Sequence, residues 1–140
     1  MSRTDIKAIR VGDKASFSKT ITETDVILFA GISGDLNPIH INAEYAEASL
    51  FHSRIAHGML CAGLISAVIG MQLPGPGTIY LGQELQFRKP VYIGDTVTAI
   101  VTVEQIVEDR NRVVLQTVVQ NQRGEQVIFG KALVLPPKAP

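Results

Sequence analysis

The chain has 140 residues, 46% of them hydrophobic and 19% charged, with 13 basic and 13 acidic side chains. That size suits one domain with one core, taken as residues 1–140, and the composition is too apolar for a disordered segment. Balanced charge gives no electrostatic pull toward nucleic acid or an anionic membrane, and Cys61, the single cysteine, cannot make an internal disulfide.

The first ten residues alternate charge and polarity and contain no apolar core of a secretory signal, so a cytoplasmic location is expected. Lys14 to Ile21 reads as a first strand after a Gly12-Asp13 turn. Thr22 then reads as a helix N-cap with Asp25 three residues on, a weaker form of the capping box. Val26, Phe29 and Ala30 give this helix an apolar face, and Gly34 is a natural stop. Asn37-Pro38 is expected to delay any return to helix, because proline pushes its predecessor into extended geometry. A short helix is predicted from Ala43 to Ala48, capped by Asn42, and then a long loop.

Ile55 to Gln83 carries no charged residue, but its helix-compatible part, Met59 to Met71, is shorter than the roughly 20 residues a bilayer needs. It is apolar almost all round, so a core helix covered on most sides is predicted. The second half supplies the cover. Leu81, Gln83, Leu85 and Phe87 alternate with polar or small residues. Val97, Ala99, Val101 and Val103 alternate with Thr96, Thr98, Ile100 and Thr102, and Val113, Leu115, Thr117 and Val119 share one face of the next run. This period of two, rich in Val and Thr, predicts strands with one buried face. Asp109-Arg110-Asn111 and Gln122-Arg123-Gly124 read as hairpin turns, leaving Gln126 to Leu135 as the last strand. The sum is an α+β architecture, a curved antiparallel sheet of about five strands wrapped round one apolar helix: the hot-dog fold. An open edge strand in such a sheet predicts a homodimer with a continuous sheet.

Two segments concentrate polar groups in apolar surroundings. In Gly34-Asp35-Leu36-Asn37-Pro38-Ile39-His40 a carboxylate and an imidazole five residues apart can converge on one water. The same pair would equally serve as a turn-stabilising Asp35 and a satisfied buried His40. In Ile55-Ala56-His57-Gly58-Met59 a loop enters the core helix. The first backbone N–H groups of a helix lack internal partners and carry partial positive charge. The Gly58 N–H could hold an oxyanion there, or Gly58 could simply permit close packing.

Phe29 to His40, then Ala46, Phe51 and Ile55 to Leu60, resemble the signature of the MaoC-like R-specific enoyl-CoA hydratases. The likeness continues through Leu73 to Gly77, Tyr80 to Gln83, Phe87, Pro90-Val91 and Gly94-Asp95, covering about residues 20 to 135. The resemblance implies R-specific, reversible hydration of trans-2-enoyl-CoA, with Asp35 and His40 as the catalytic pair and Gly58 as the oxyanion donor. It also implies that Ser66 and Ile69, about two turns into the core helix, border the acyl chain, although ordinary core packing would suit them as well. No cofactor is implied, since coenzyme A is part of the substrate. A role in polyhydroxyalkanoate supply is one the family allows.

Other readings remain. The same pair could dehydrate R-3-hydroxyacyl groups on acyl carrier protein, with Arg88, Lys89, Arg110 and Arg112 as docking charges. A non-catalytic acyl-thioester binder would have no need of the pair, and a thioesterase of this fold would lack the Asp-x-Asn-Pro-x-His block. His57 and Cys61, four apart on a helix, share a face like a base and a nucleophile, but the apolar run disfavours a thiolate. His40, His52 and His57 match no standard metal spacing. Asp35-x-Asn37 fails as a calcium loop, with His40 where glycine is required. No metal is therefore expected. Gln83, polar on a face predicted to be buried, either reaches the site or caps a loop.

Overall fold

The computed structural model describes residues 5–138. After a 3-10 turn at Ile6–Ala8, the elements are β1 (Lys14–Thr20), α1 (Glu23–Ser33), α2 (Pro38–Ile41), α3 (Ala43–Glu47), α4 (Gly58–Met71), β2 (Ile79–Phe87), β3 (Thr96–Val107), β4 (Arg112–Gln120) and β5 (Gln126–Leu135). The strands form one antiparallel sheet in the order β1-β3-β4-β5-β2. The long α4 packs on β1, β3 and β4. The expected hot-dog arrangement is therefore the one observed.

The inward positions follow the predicted alternation. Val97, Ala99, Val101 and Val103 on β3, and Val113, Leu115, Thr117 and Val119 on β4, are all buried. All but Thr117 meet Cys61, Ile65, Val68 and Ile69 from α4 in one hydrophobic cluster. Each such aliphatic side chain contributes about 1.5–3 kcal/mol relative to exposure. β3 runs four residues past Val103, with a register shift between Val103 and Gln105, and the turn before β4 is a short 3-10 segment closed by Asn111 at φ 53°.

α1 begins with a complete capping box. The Asp25 N–H donates to Thr22 Oγ1 at 3.1 Å and the Thr22 N–H donates to Asp25 Oδ2 at 2.9 Å. Gly34 ends the helix at φ 81°, a left-handed conformation that favours glycine. The expectation for Asn37-Pro38 is corrected. Asn37 is extended, as proline demands, but Pro38 itself opens α2. Proline is well placed in a first turn, where its missing N–H costs nothing, and the Asn37 side chain accepts from the Ile39 N–H at 3.1 Å.

β2 departs from the predicted half-buried pattern. Ile79, Tyr80, Leu81 and Phe87 are all more than a third exposed. The reason is position: β2 is an edge strand beyond the footprint of α4, and a register shift between Tyr80 and Gly82 breaks its alternation. α4 is likewise open along one stripe, where Met59, Gly63 and Ser66 are exposed. No helix among the described residues is long and apolar enough to cross a membrane.

Candidate active site

The loop after α1, the short α2 and the start of α4 meet at one point. There Asp35, His40 and His57 each present a side-chain ligand atom, all within 4.8 Å of one another. Each is held by its local backbone. Asp35 Oδ1 accepts the Asn37 N–H at 3.1 Å, an Asx turn that fixes the carboxylate and leaves its second oxygen uncommitted. His40 is buried, and its Nδ1 lies 2.7 Å from the Ile55 carbonyl. A carbonyl only accepts, so Nδ1 carries the proton and Nε2 is left as a bare acceptor. Arg54 secures the same corner. Its Nε donates to the His40 carbonyl at 2.7 Å, and its guanidinium bonds both Glu23 oxygens at 2.8 and 2.9 Å.

Burial lowers the pKa of His40, and repulsion from His57 adds to this; the Ile55 carbonyl and the Asp35 charge pull the other way. His40 is thereby kept neutral over a wider pH range than a solvated histidine, as an acceptor for a water proton must be.

Gly58 is the first residue of α4, and no side chain caps that end. A Cβ at Gly58 would stand 2.5 Å from Phe87 Cδ1, so glycine is required for the ring of Phe87 to lie across the helix start. Asp35, His57 and Gly58 border a cleft of about 430 Å³, whose other walls include Cys61, Phe87 and Lys89. His40 is not part of this lining; its ring stacks on that of His57, which is. A second groove, of about 520 Å³, runs between the open stripe of α4 and β2, and Met59 and Phe87 border both.

Sequence reading placed Asp35, His40 and Gly58 correctly as neighbours. Ser66 borders the groove, but Ile69 does not: it is 1% exposed and packs in the core. Gln83 caps no loop: it bonds residues of β2 and β4 and borders the second groove. It accepts from the Tyr80 hydroxyl and donates to Thr117 Oγ1 at 3.0 Å and to the Glu84 carbonyl at 2.8 Å. His52 is exposed and stands outside the three-residue cluster. Burial pushes the Cys61 thiol up to about 12, so it is no nucleophile beside His57. Of the four basic residues considered for docking, Arg88 and Lys89 border the first cleft, while Arg110 lies apart, beside Asp109 and Lys138. The contribution of His57 was missed. Its motif position marked it, but only the fold brings its ring onto Asp35, 22 residues upstream.

A single antiparallel sheet round a helix, with an acid–imidazole pair beside the helix start, defines a hot-dog protein. The chain belongs to the MaoC-like family: the MaoC like domain matches residues 7–125. It is 53% identical over 129 residues to an (R)-specific enoyl-CoA hydratase of Rhodospirillum rubrum, covering 92% of this chain and 89% of that one. Among solved structures, the unliganded R-hydratase of Pseudomonas aeruginosa superimposes with a TM-score of 0.93 at 46% identity, over 98% of this chain and 88% of that one. The (R)-hydratase of Aeromonas caviae involved in PHA biosynthesis gives a TM-score of 0.90 at 43% identity, over 92% and 98%.

Proposed function

We propose that this protein hydrates trans-2-enoyl-CoA to R-3-hydroxyacyl-CoA, reversibly, with Asp35 and His40 activating one water. The observation that carries the reading is the convergence of Asp35 and His40 beside the uncapped start of α4, with Asp35 bordering a mostly apolar cleft. The relatives named as hydratases support it over nearly the whole length. The thioester oxygen sits at the Gly58 N–H, where the helix start favours developing negative charge. The water lies between the free Asp35 oxygen and His40 Nε2. As its oxygen bonds to C3, Asp35 takes the departing proton and the π electrons move to the thioester oxygen as an enolate. Collapse of the enolate takes a proton at C2 from the same pair. One fixed water attacking one face of the double bond accounts for a single hand at C3. Every step uses protons and electron pairs supplied by substrate, water and side chains.

Residues 1–140 act as one domain in this reading, and the protein works in the cytoplasm, where acyl-CoA is made. Such a product suits polyhydroxyalkanoate supply. Coenzyme A is preferred to acyl carrier protein because the basic residues do not form one patch. Arg88 borders the cleft and, among the described residues, makes no ion pair; its guanidinium lies 4.7 Å from the centre of the Phe129 ring. It is free to meet a phosphate of coenzyme A. The protein acts as a homodimer joined along β2, whose apolar residues are otherwise left in water.

The test is loss of the enoyl-thioester absorbance of crotonyl-CoA, followed by the stereochemistry of the product. Rapid formation of the R-3-hydroxy product is expected. No turnover of either crotonyl-CoA or octenoyl-CoA sinks the reading.

A further inference from the structure

His57 is 1% exposed and has no part in the mechanism above. Its Nε2 lies 2.9 Å from the backbone oxygen of Asp35, so Nε2 carries the proton and donates. Its ring stacks on His40, with centroids 3.9 Å apart and planes 27° apart, and packs against Phe29 at 4.8 Å. Its backbone is the N-cap of α4, one residue before Gly58. Its Nδ1 is buried with no partner.

That last atom makes the residue informative. A polar atom buried without a partner is destabilising. Packing alone would therefore favour an apolar ring, and Phe29 and His40 offer faces on which one could lie. What imidazole adds is the Nε2–H on the carbonyl of Asp35. It also brings together three segments: the Asp35 loop through that bond, α2 through the stack on His40, and the start of α4 through its own backbone.

We propose that His57 is a positioning residue that holds the water-activating pair in register with the helix start offering the Gly58 N–H. The inference rests on the reading of Asp35, His40 and Gly58 given under Proposed function. His57 touches neither water nor thioester; it acts through Asp35 and His40. The titratable and charged groups around His40 are Asp35 from the loop after α1, His57 from α4, and Arg54 with its Glu23 partner on α1. Of these, His57 opposes protonation of His40 from within stacking distance. Replacing His57 by a side chain that cannot ionise removes that opposition and raises the pH at which His40 takes a proton.

Two variants separate the contributions. His57→Phe keeps a ring on His40 and loses the donor to Asp35. His57→Gln supplies an N–H at about the reach of Nε2 and loses the ring. With crotonyl-CoA, His57→Phe is expected to lose kcat on the order of 100-fold, with KM within about threefold of the parent, because registration and not binding is lost. His57→Gln recovers to within about tenfold of the parent. In both variants the acid limb of kcat/KM moves to higher pH. Turnover of His57→Phe within threefold of the parent overturns the proposal. So do equal losses in the two variants with an unmoved acid limb, the mark of a merely structural residue.

Nitrogen NMR of the imidazoles gives a readout that needs neither activity nor a folded Phe variant. In the parent, His57 is expected as the Nε2–H tautomer, and in His57→Gln His40 titrates at higher pH. An Nδ1–H tautomer, or an unmoved His40, overturns the proposal. Should the parent fail to hydrate any enoyl-CoA, the functional reading falls alone, and the NMR still decides whether His57 holds this cluster.

Discussion

At the scale of single residues, the site divides into groups that act and groups that hold. Asp35 is exposed and its Oδ1 bonds only the neighbouring Asn37 N–H, a bond that Asn at position 35 can also accept. Asp35→Asn should therefore fold normally, with an unchanged melting temperature, and lose roughly 10²–10⁴-fold in kcat on crotonyl-CoA. His40→Ala should lose as much activity and also some stability, since the Ile55 carbonyl forfeits its donor. Near-normal turnover in either variant removes that residue from the mechanism. The acid behaviour of His40 follows from its lowered pKa. The folded protein binds fewer protons there than the unfolded chain, whose histidine titrates near its ordinary 6.5. The stabilisation is present above that value and is lost as pH falls through the lowered folded value. Melting temperature should drop with pH in that window, and His40→Gln should flatten the drop. The candidates Asp35, His40 and Gly58 stood out in the sequence because they lie in contiguous motifs whose residue types suggest a chemistry. The grip of His57 on Asp35 did not, because a bond from a side chain to a distant carbonyl leaves no trace in local pattern.

At the scale of elements, the start of α4 and the end of β2 work as one piece. The ring of Phe87 occupies the space where a side chain at position 58 would stand, and it borders both the catalytic cleft and the α4–β2 groove. Gly58→Ala should fold, since Phe87 is half exposed and can swing aside, but the displaced ring then narrows the junction. The expected cost in kcat/KM is on the order of 10²-fold. Adding Phe87→Leu should restore most of it; a double variant no better than Gly58→Ala alone refutes the steric account. In the proposed reaction the groove receives the acyl chain. Ser66 borders it and Ile69 does not, so Ser66→Leu should shift preference from octenoyl-CoA toward crotonyl-CoA. Ile69→Ala should instead lower stability by about 2–5 kcal/mol in denaturant unfolding with little change in preference. The family resemblance put both residues near the acyl chain because it reports which stretch of the helix borders the substrate. It does not report which face the sheet covers, and α4 turned out open on one side only. Pro38 carried a similar ambiguity. Proline breaks a helix that it follows and begins one that it heads, and only the Asn37 cap tells the two apart.

At the scale of the whole molecule, the two edges of the sheet are unlike. β1 is KASFSKT, with lysines near both ends and hydroxyls between, and its exposed Ser18 and Thr20 bond across to Thr98 and Thr96. Lysine on an edge strand blocks pairing with another copy. β2 instead leaves Ile79, Tyr80 and Leu81 exposed with no basic residue in the strand, and the groove beside it has an open apolar wall from α4. An edge of that kind invites an identical edge, and joining two related by a twofold axis would continue the sheet and close the groove. Light scattering should therefore give twice the chain mass at micromolar concentration. Leu81→Lys places a buried charge at such a junction and should give a monomer with α4 and the sheet intact by circular dichroism. Its hydration of octenoyl-CoA should fall more than that of crotonyl-CoA, because the longer chain depends on a groove that only the partner closes. A Leu81→Lys protein that stays dimeric moves the interface away from β2. A monomer with undiminished octenoyl-CoA turnover shows instead that each copy holds the acyl chain by itself.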